Sequence, residues 1–216
     1  MMNHLLNAAY CREPERHRNV LYFDDDPVLA AQMHADRHVE QGLIWAVQIL
    51  STVWAQESAK QPDAAWSKLY TCGWAATQTT DLRKTYPGPH SVSYARLGGA
   101  HIALSEHGSH PSVVWAAMYG GNYVWLHTLG AALAVEYRYR FDKTSLWEPA
   151  IWALEIMPKS FAETEFTYCE ATPCLPSEFV TESSVDSYRR WYTSADVINQ
   201  YPGLDFTGRD IPEWFF

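Results

Sequence analysis

The sequence is poor in the features that mark secreted, membrane-spanning and zinc-binding proteins. Only 4 of its 216 residues are cysteine, and they do not form the double CxxC spacing of a zinc module. Reduced thiols in a cytosolic protein are therefore expected, with a Cys169–Cys174 disulfide as the alternative. The first residues lack the apolar core of a signal peptide, and no apolar run is long enough to cross a bilayer. These absences predict a cytoplasmic protein without a membrane partner.

Positive charge is also scarce. The formal net charge is -9 at pH 7, whereas a general DNA-binding protein usually presents a basic surface. General binding of duplex DNA is therefore not expected, although the net charge leaves room for one basic pocket that holds a nucleotide. The chain has no P-loop, no glycine-rich dinucleotide motif and no serine-nucleophile motif, so no short local motif assigns a reaction.

Aromatic residues, by contrast, are abundant, with 10 Trp, 13 Tyr and 8 Phe. Their usual role is to fill a core, and the alternative is that their ring faces stack against bases or sugars. The length suits one large domain, or one domain with a substantial appendage.

The stretch 33–54 is the most strongly patterned part of the chain. No charged residue occurs from Gln41 to Gln56, and two of its three rows at helical spacing are small or apolar throughout. The third row carries His34, His38, Trp45 and Gln48. A helix that is apolar nearly all round is buried, and buried polar groups need partners. This row therefore predicts one wall of a ligand site.

The helix that contains this stretch is predicted to begin at Pro27 and to end near Glu57. Asp26 suits the N-cap, where its carboxylate accepts from free backbone N–H groups, and proline suits the first helical position. A bend is expected near Asp36 or at Gly42, because glycine weakens a helix.

A second long helix is predicted at 123–141, after a break at Gly120-Gly121 and with Asn122 as its N-cap. One face of this helix carries Trp125, Leu129, Ala132, Glu136 and Arg140. The helix before it, at 111–118, is expected to be capped by Ser109 or His110.

The other elements follow from turn residues and periodicity. They are a strand at 19–23, a strand or irregular segment at 92–97, a short helix at 100–106, and helices at 64–76, 145–157 and 185–198, the last capped by Ser184. The predicted fold is mainly α, a compact helical single domain around two central helices with at most a minor short-strand component. Its parts are an N-terminal arm (1–18), a helical core (19–158), and an acidic wrapping loop, helix and aromatic C-terminal tail (159–216) that pack on the same domain. The tail is expected to dock on this chain or on a second copy, which would make a homo-oligomer.

Glu136 and Arg140 are the strongest candidates for chemistry. They lie one helical turn apart and are expected to form an ion pair. The pair is either structural or catalytic, since a carboxylate on an apolar face can serve as general acid or base. His38 is the second catalytic candidate.

His34 and His38 have the spacing of two metal ligands on one helix face. A metal site needs a third ligand, so no cofactor is predicted and a divalent metal remains an alternative. His107 and His110 flank a turn before a helix start, where a histidine can hold an anion. The alternative is simple helix capping.

The two long helices are expected to enclose a cleft. Its predicted ligand-binding residues are Arg140, His110, Asn122, Gln48, Trp45, Trp125 and His107. Arg140 and His110 are assigned to phosphate.

Two blocks of sequence carry a resemblance to a known family. They are DPVLAAQMHADRHVEQGLIWAVQILS and HPSVVWAAMYGGNYVWLHTLGAALAVEYRYRFDK, followed by PEWF near the end. Together they resemble a family of small proteins of tailed bacteriophages. Its members carry Asp-Lys-His-Val before a helix, then His-Pro, and then an Asn-Tyr-x-Trp-Leu helix that ends in Glu-Tyr-x-x-Arg. The resemblance covers about half of the chain and implies a phage origin and the cytoplasm of the host cell.

A more distant likeness is to the pyrimidine-dimer DNA glycosylases, which are compact helical enzymes. Their Ala-Asp-x-His segment is matched by Ala35, Asp36 and His38, and Glu136 with Arg140 is a looser counterpart of their later Glu-x-x-Arg. Their glutamate seven residues after the histidine is replaced here by Trp45. The likeness implies a helical fold with a nucleotide-shaped cleft.

Three functions are compatible with these observations. The first is an enzyme that cleaves a nucleotide or nucleic-acid base by hydrolysis or at the glycosidic bond. The second is a non-catalytic phage protein that sequesters a nucleotide signal of host defence. The third is a structural or interaction protein.

Overall fold

The computed structural model describes residues 19–60, 93–97, 100–104, 109–162 and 167–216. The predicted arm at 1–18, the predicted helix at 64–76 and His107 lie outside these residues. Within them the α-helices are α1 (Pro27–Gln32), α2 (Asp36–Lys60), α3 (Pro111–Met118), α4 (Gly120–Phe141), α5 (Glu148–Ala153), α6 (Lys159–Ala162), α7 (Ser184–Tyr192) and α8 (Ala195–Gln200). Short 3-10 turns cover Ser177–Phe179 and Glu213–Phe215. Strands β1 (Ser93–Leu97) and β2 (Ala100–Leu104) form an antiparallel pair. The predicted mainly α class is confirmed.

Helices α2 and α4 pack against each other at the centre, as predicted. Both helices contribute fully buried side chains to the core, among them Leu43, Leu50 and Leu133. Gly42 permits the close approach, since a Cβ there would lie 2.9 Å from Cδ1 of Leu133. The core is therefore tight where the two long helices cross.

The predicted single helix 27–57 is two helices, α1 and α2. Asp26 caps α1 through hydrogen bonds from Val28 N and Leu29 N. The chain then leaves the helix at 33–35, and the backbone N–H of Asp36 donates to the carbonyl of Asp205 at 2.8 Å. The expected bend near Asp36 is confirmed in position, but it is an interruption, because a partner from the far end of the chain replaces the intrahelical bond.

Two short elements were predicted wrongly. Residues 19–23 form a buried irregular segment and no strand, because within the described ranges their backbone has no partner strand. Residues 100–104 form β2 and no helix, since Ala100 pairs with Leu97 and Leu104 with Ser93. Such pairing depends on a partner strand that local propensity does not report.

Several helix ends differ from the prediction. The break between α3 and α4 is at Tyr119, which is extended, and α4 begins at Gly120. Asn122 therefore lies inside the first turn and is not the cap. The predicted helix at 145–157 is limited to α5. The predicted helix at 185–198 is split into α7, capped by Ser183 rather than Ser184, and α8, capped by Ser194.

The C-terminal segment docks on this chain. The ring of Trp214 lies 5.3 Å from that of Phe23, and the ring of Phe215 lies 5.5 Å from that of Phe206. Phe216 stays 91% exposed. Cys169 and Cys174 are free thiols. None of the helices in the described ranges has the length and apolar character needed to cross a membrane.

Candidate functional site

Five polar residues converge where α1 ends, α2 begins and α4 ends. We call Asp36, Glu136, Arg140, Thr207 and Arg209 the junction cluster. Arg140 donates from Nε to Oε2 of Glu136 at 3.0 Å and from Nη1 to Oδ1 of Asp36 at 3.0 Å. The predicted Glu136–Arg140 ion pair is present, and it is one part of a larger network.

Most N–H groups of the Arg140 guanidinium donate hydrogen bonds to other residues of the protein. Its Nη1 also donates to the carbonyl of His34 at 2.7 Å, and its Nη2 donates to that of Gln32 at 2.9 Å. These carbonyls lie at the last residue of α1 and in the link to α2, where intrahelical partners are missing. The Arg140 side chain is 0% exposed, so it stabilises the break between the two helices.

The carboxylate of Glu136 is held by a second arginine as well. Arg209 donates from Nε to Oε2 at 3.0 Å and from Nη2 to Oε1 at 2.5 Å. This is the bidentate geometry in which guanidinium and carboxylate bind most strongly. The side chain of Arg209 is 30% exposed, against 4% for Glu136. Arg209 therefore separates the buried carboxylate from solvent.

Asp36 is the more accessible carboxylate, with 17% of its side chain exposed. Thr207 donates to it from its backbone N at 3.0 Å and from Oγ1 at 2.5 Å. An acidic residue in the first turn of α2 is also favoured by the helix dipole. The C-terminal segment is thus attached to both carboxylates of the cluster.

His38 lies beside the cluster and is paired with Tyr192. Its Nδ1 is 2.5 Å from Oη of Tyr192, which also accepts from the backbone N of Ala35 at 3.3 Å. Burial, followed by the nearby charge of Arg37, lowers the pKa of His38 to about 4. His38 is therefore neutral at pH 7.

His34 is completely buried. Its Nδ1 is 2.7 Å from the carbonyl of Ala30, so this nitrogen carries the proton. Burial lowers the pKa of His34 to about 3. Its Nε2 has no partner in the described ranges. Each histidine thus uses Nδ1 inside the protein, and the described residues contain no group of three or more potential ligands arranged for a metal.

Two cation–aromatic pairs border the cluster. The guanidinium of Arg209 lies 4.4 Å from the ring centre of Tyr139, and that of Arg37 lies 4.3 Å from the ring centre of Tyr201. Tyr139 is 57% exposed. The ring of Tyr201 also contacts the imidazole of His38, with 5.0 Å between the ring centres. The surface over the cluster therefore combines positive charge with aromatic faces.

Asn122 and His110 belong to another part of the molecule. Asn122 lies 14 residues before Glu136 on α4, which separates them by about 21 Å along the helix. It donates from Nδ2 to the carbonyl of Trp115 at 2.8 Å and accepts from Cys169 N at 2.9 Å. His110 is the N-cap of α3 and accepts from Ser112 N at 3.2 Å. The structure does not place Asn122 and Glu136 in one cleft.

The remaining predicted ligand-binding residues pack in the core. Trp125 donates to the carbonyl of Asp25 at 2.7 Å and stacks on Tyr22 at 4.5 Å. Trp45 is half-buried against the core and Gln48 is buried.

Sequence reasoning did not select Tyr192, Thr207 or Arg209 for the site. Each comes from the C-terminal part of the chain, more than 150 residues after α2 begins in the case of Tyr192. For Tyr192 and Arg209 the local signal was the proximity of cations and aromatic residues at 189–192 and near Trp214, and Thr207 carried no such signal. That pattern is equally typical of an exposed amphipathic helix, and it does not indicate which residues elsewhere in the chain these side chains contact.

Comparisons of the chain with protein-family models, with curated proteins and with solved structures found no match.

Proposed function

We propose that this protein acts on a nucleotide or nucleic-acid base, by hydrolytic or glycosidic cleavage, at the junction cluster. The supporting observation is that residues from two separate sequence motifs lie close together. Asp36 and His38 match the first motif of the glycosylase likeness, and Glu136 with Arg140 is the counterpart of the second. Arg140 and Asp36 are 104 residues apart in sequence and 3.0 Å apart in the structure. The motif residues thus meet at one place.

The energetics of the cluster also support a functional role. Burying paired charges is often no more stabilising than burying apolar residues of similar volume. Ionisable groups with perturbed pKa values concentrate at functional sites, and His38, with its pKa lowered to about 4, adjoins the cluster.

The chemistry of the surrounding surface supports the ligand class. Exposed Tyr139 supplies a ring on which a base can stack, and stacking of this kind tolerates any base. Arg37 and Arg209 supply positive charge for phosphate. A basic patch of this size suits a mononucleotide or a flipped base and is consistent with the net charge of -9.

In the proposed reaction Glu136 acts on the attacking water. The bond between base and sugar breaks, water supplies the hydroxyl group to the sugar carbon, and its proton passes through Glu136 to the departing base. Arg209 covers both carboxylate oxygens in this structure, so it has to turn toward the ligand phosphate before Glu136 accepts a proton. Resemblance to the phage family supports an action during infection.

The proposal is tested by product analysis with Glu136→Gln. Purified protein is incubated with the nucleoside monophosphates and with short single- and double-stranded oligonucleotides, and products are identified by mass spectrometry. Loss of a general base is expected to reduce turnover about 100-fold or more. Glu148→Gln, the same change in an ion pair outside the cluster, is the control. Circular dichroism at the assay temperature checks that both variants are folded. Turnover by folded Glu136→Gln equal to that of the wild type would reject the assignment.

One observation favours the second function, sequestration of a nucleotide signal of host defence. Both oxygens of Glu136 are engaged by arginines, and binding needs cations and aromatic faces without a free base. Incubation followed by denaturation distinguishes the two functions. Recovery of the bound nucleotide intact after long incubation supports sequestration, and recovery of a separate base or sugar supports cleavage.

A further inference from the structure

The hydroxyl group of Tyr192 has a donor on one side and an imidazole nitrogen on the other. It accepts from the backbone N–H of Ala35 at 3.3 Å. A phenol has one proton to donate, and Nδ1 of His38 lies 2.5 Å away as an acceptor. This arrangement satisfies all three groups only if Tyr192 donates to Nδ1. The proton of the neutral imidazole is then on Nε2.

The Nε2 atom of His38 has no hydrogen-bond partner in the described part of the chain. His38 also keeps 6% of its surface exposed, whereas His34 keeps none. Tyr201 packs edge-on against the imidazole at 5.0 Å, and the neighbouring Arg37 covers the Tyr201 ring at 4.3 Å. The imidazole is therefore held between two tyrosines and keeps a small exposed area.

We propose that Tyr192 is a positioning residue that fixes His38 as the Nε2–H tautomer, so that His38 binds a hydrogen-bond acceptor of the ligand. This inference rests on the proposed function and specifies one contact between the protein and the ligand. The acceptor is a carbonyl oxygen or unprotonated ring nitrogen of a base, or a phosphate oxygen. His38 contributes a neutral donor, and proton transfer is left to Glu136. The Tyr192 ring also packs on Phe23 at 4.7 Å, which holds its hydroxyl in place.

The tautomer is measured directly and without a ligand. Two-bond nitrogen–proton correlations of ¹⁵N-histidine protein report which ring nitrogen carries the proton. His38 is expected as Nε2–H in the wild type and as a mixture of tautomers in Tyr192→Phe, which keeps the ring packing. Assignment of the wild-type signals uses His38→Gln as reference. The Nδ1–H form in the wild type overturns the inference, whether or not Tyr192→Phe folds.

The role of the donor is measured by binding. The probes are the deoxynucleoside 5′-monophosphates, titrated by calorimetry. His38→Gln retains an N–H donor near the position of Nε2 and is expected to bind within about 3-fold of the wild type, whereas His38→Ala is expected to lose about 10-fold. Equal affinity of His38→Ala and the wild type overturns the ligand contact. Absence of binding by the wild type counts against the proposed function instead, and the tautomer result still stands.

Discussion

The Nη1 atom of Arg140 lies 3.0 Å from Oδ1 of Asp36, so the end of one long helix is joined to the start of the other. The same guanidinium binds the carbonyls of Gln32 and His34. One buried side chain therefore stabilises the interruption between α1 and α2 and fixes the position of both carboxylates of the junction cluster.

Glu136→Gln is expected to destabilise the protein by about 3 kcal/mol, because it leaves buried Arg140 without one of its two counter-charges. Urea denaturation at pH 7 measures the change. Asp24→Asn is the matched control, since its ion pair with Arg189 is 26% exposed on both sides and should be worth less than about 1 kcal/mol. Equal losses of unfolding free energy in the two variants would show that the buried charges of the junction cluster stabilise the protein no more than an exposed ion pair does.

Gly121→Ala is expected to destabilise the protein by at least about 2 kcal/mol. A Cβ there would lie 2.4 Å from the carbonyl oxygen of Thr167, and backbone cannot move aside as a flexible side chain does. Gly120→Ala is the control at the neighbouring position, where the nearest atoms are 3.4 Å away. It should lie between neutral and about 1 kcal/mol more stable, since alanine favours a helix. Thermal unfolding of the pair measures the contrast, and a mild Gly121→Ala would contradict the close packing at Thr167.

Acid is expected to destabilise the protein through its neutral histidines. The pKa of His34 is lowered to about 3 and that of His38 to about 4, whereas an unfolded histidine titrates near 6.5. Below pH 6.5 the unfolded state therefore binds more protons than the folded state, and stability falls until the pH reaches the folded pKa values. Near pH 5 each histidine contributes a slope of about 1.4 kcal/mol per pH unit.

His34→Gln isolates this effect from the titration of carboxylates. Urea denaturation at several values between pH 7 and pH 4.5 should give a plot of unfolding free energy that is shallower than the wild-type plot by about 1.4 kcal/mol per pH unit near pH 5. His34→Gln can also lower the unfolding free energy by a constant amount through altered packing. Such a constant loss does not change the slope of the plot against pH. Parallel plots would show that His34 is protonated in the folded protein.

Asn122→Ala is expected to cost about 2–3 kcal/mol, because it removes the partners of the Trp115 carbonyl and of Cys169 N. Asn199→Ala, on the exposed side of α8, should change the unfolding free energy by less than about 0.5 kcal/mol. Denaturation midpoints measure both. Near-neutral Asn122→Ala would instead be compatible with the ligand-binding role that the sequence predicted for it.

The sequence by itself determined the mainly α class, the two long helices and several of their ends. Apolar periodicity identifies a buried helix whatever its neighbours are, and the caps at Asp26 and His110 follow from bonds to the next turn. The Glu136–Arg140 pair belongs to the same category, since residues four apart on a helix always meet.

Only the tertiary structure decided which polar residues share a site. Asp36 is joined to Arg140 and Thr207, and His38 to Tyr192, through contacts between segments more than 100 residues apart. Asn122 and Glu136, which the sequence assigned to one cleft, are separated by about 21 Å along α4. Local spacing constrains contacts within a helical turn, but the meeting of distant segments depends on how the whole core packs.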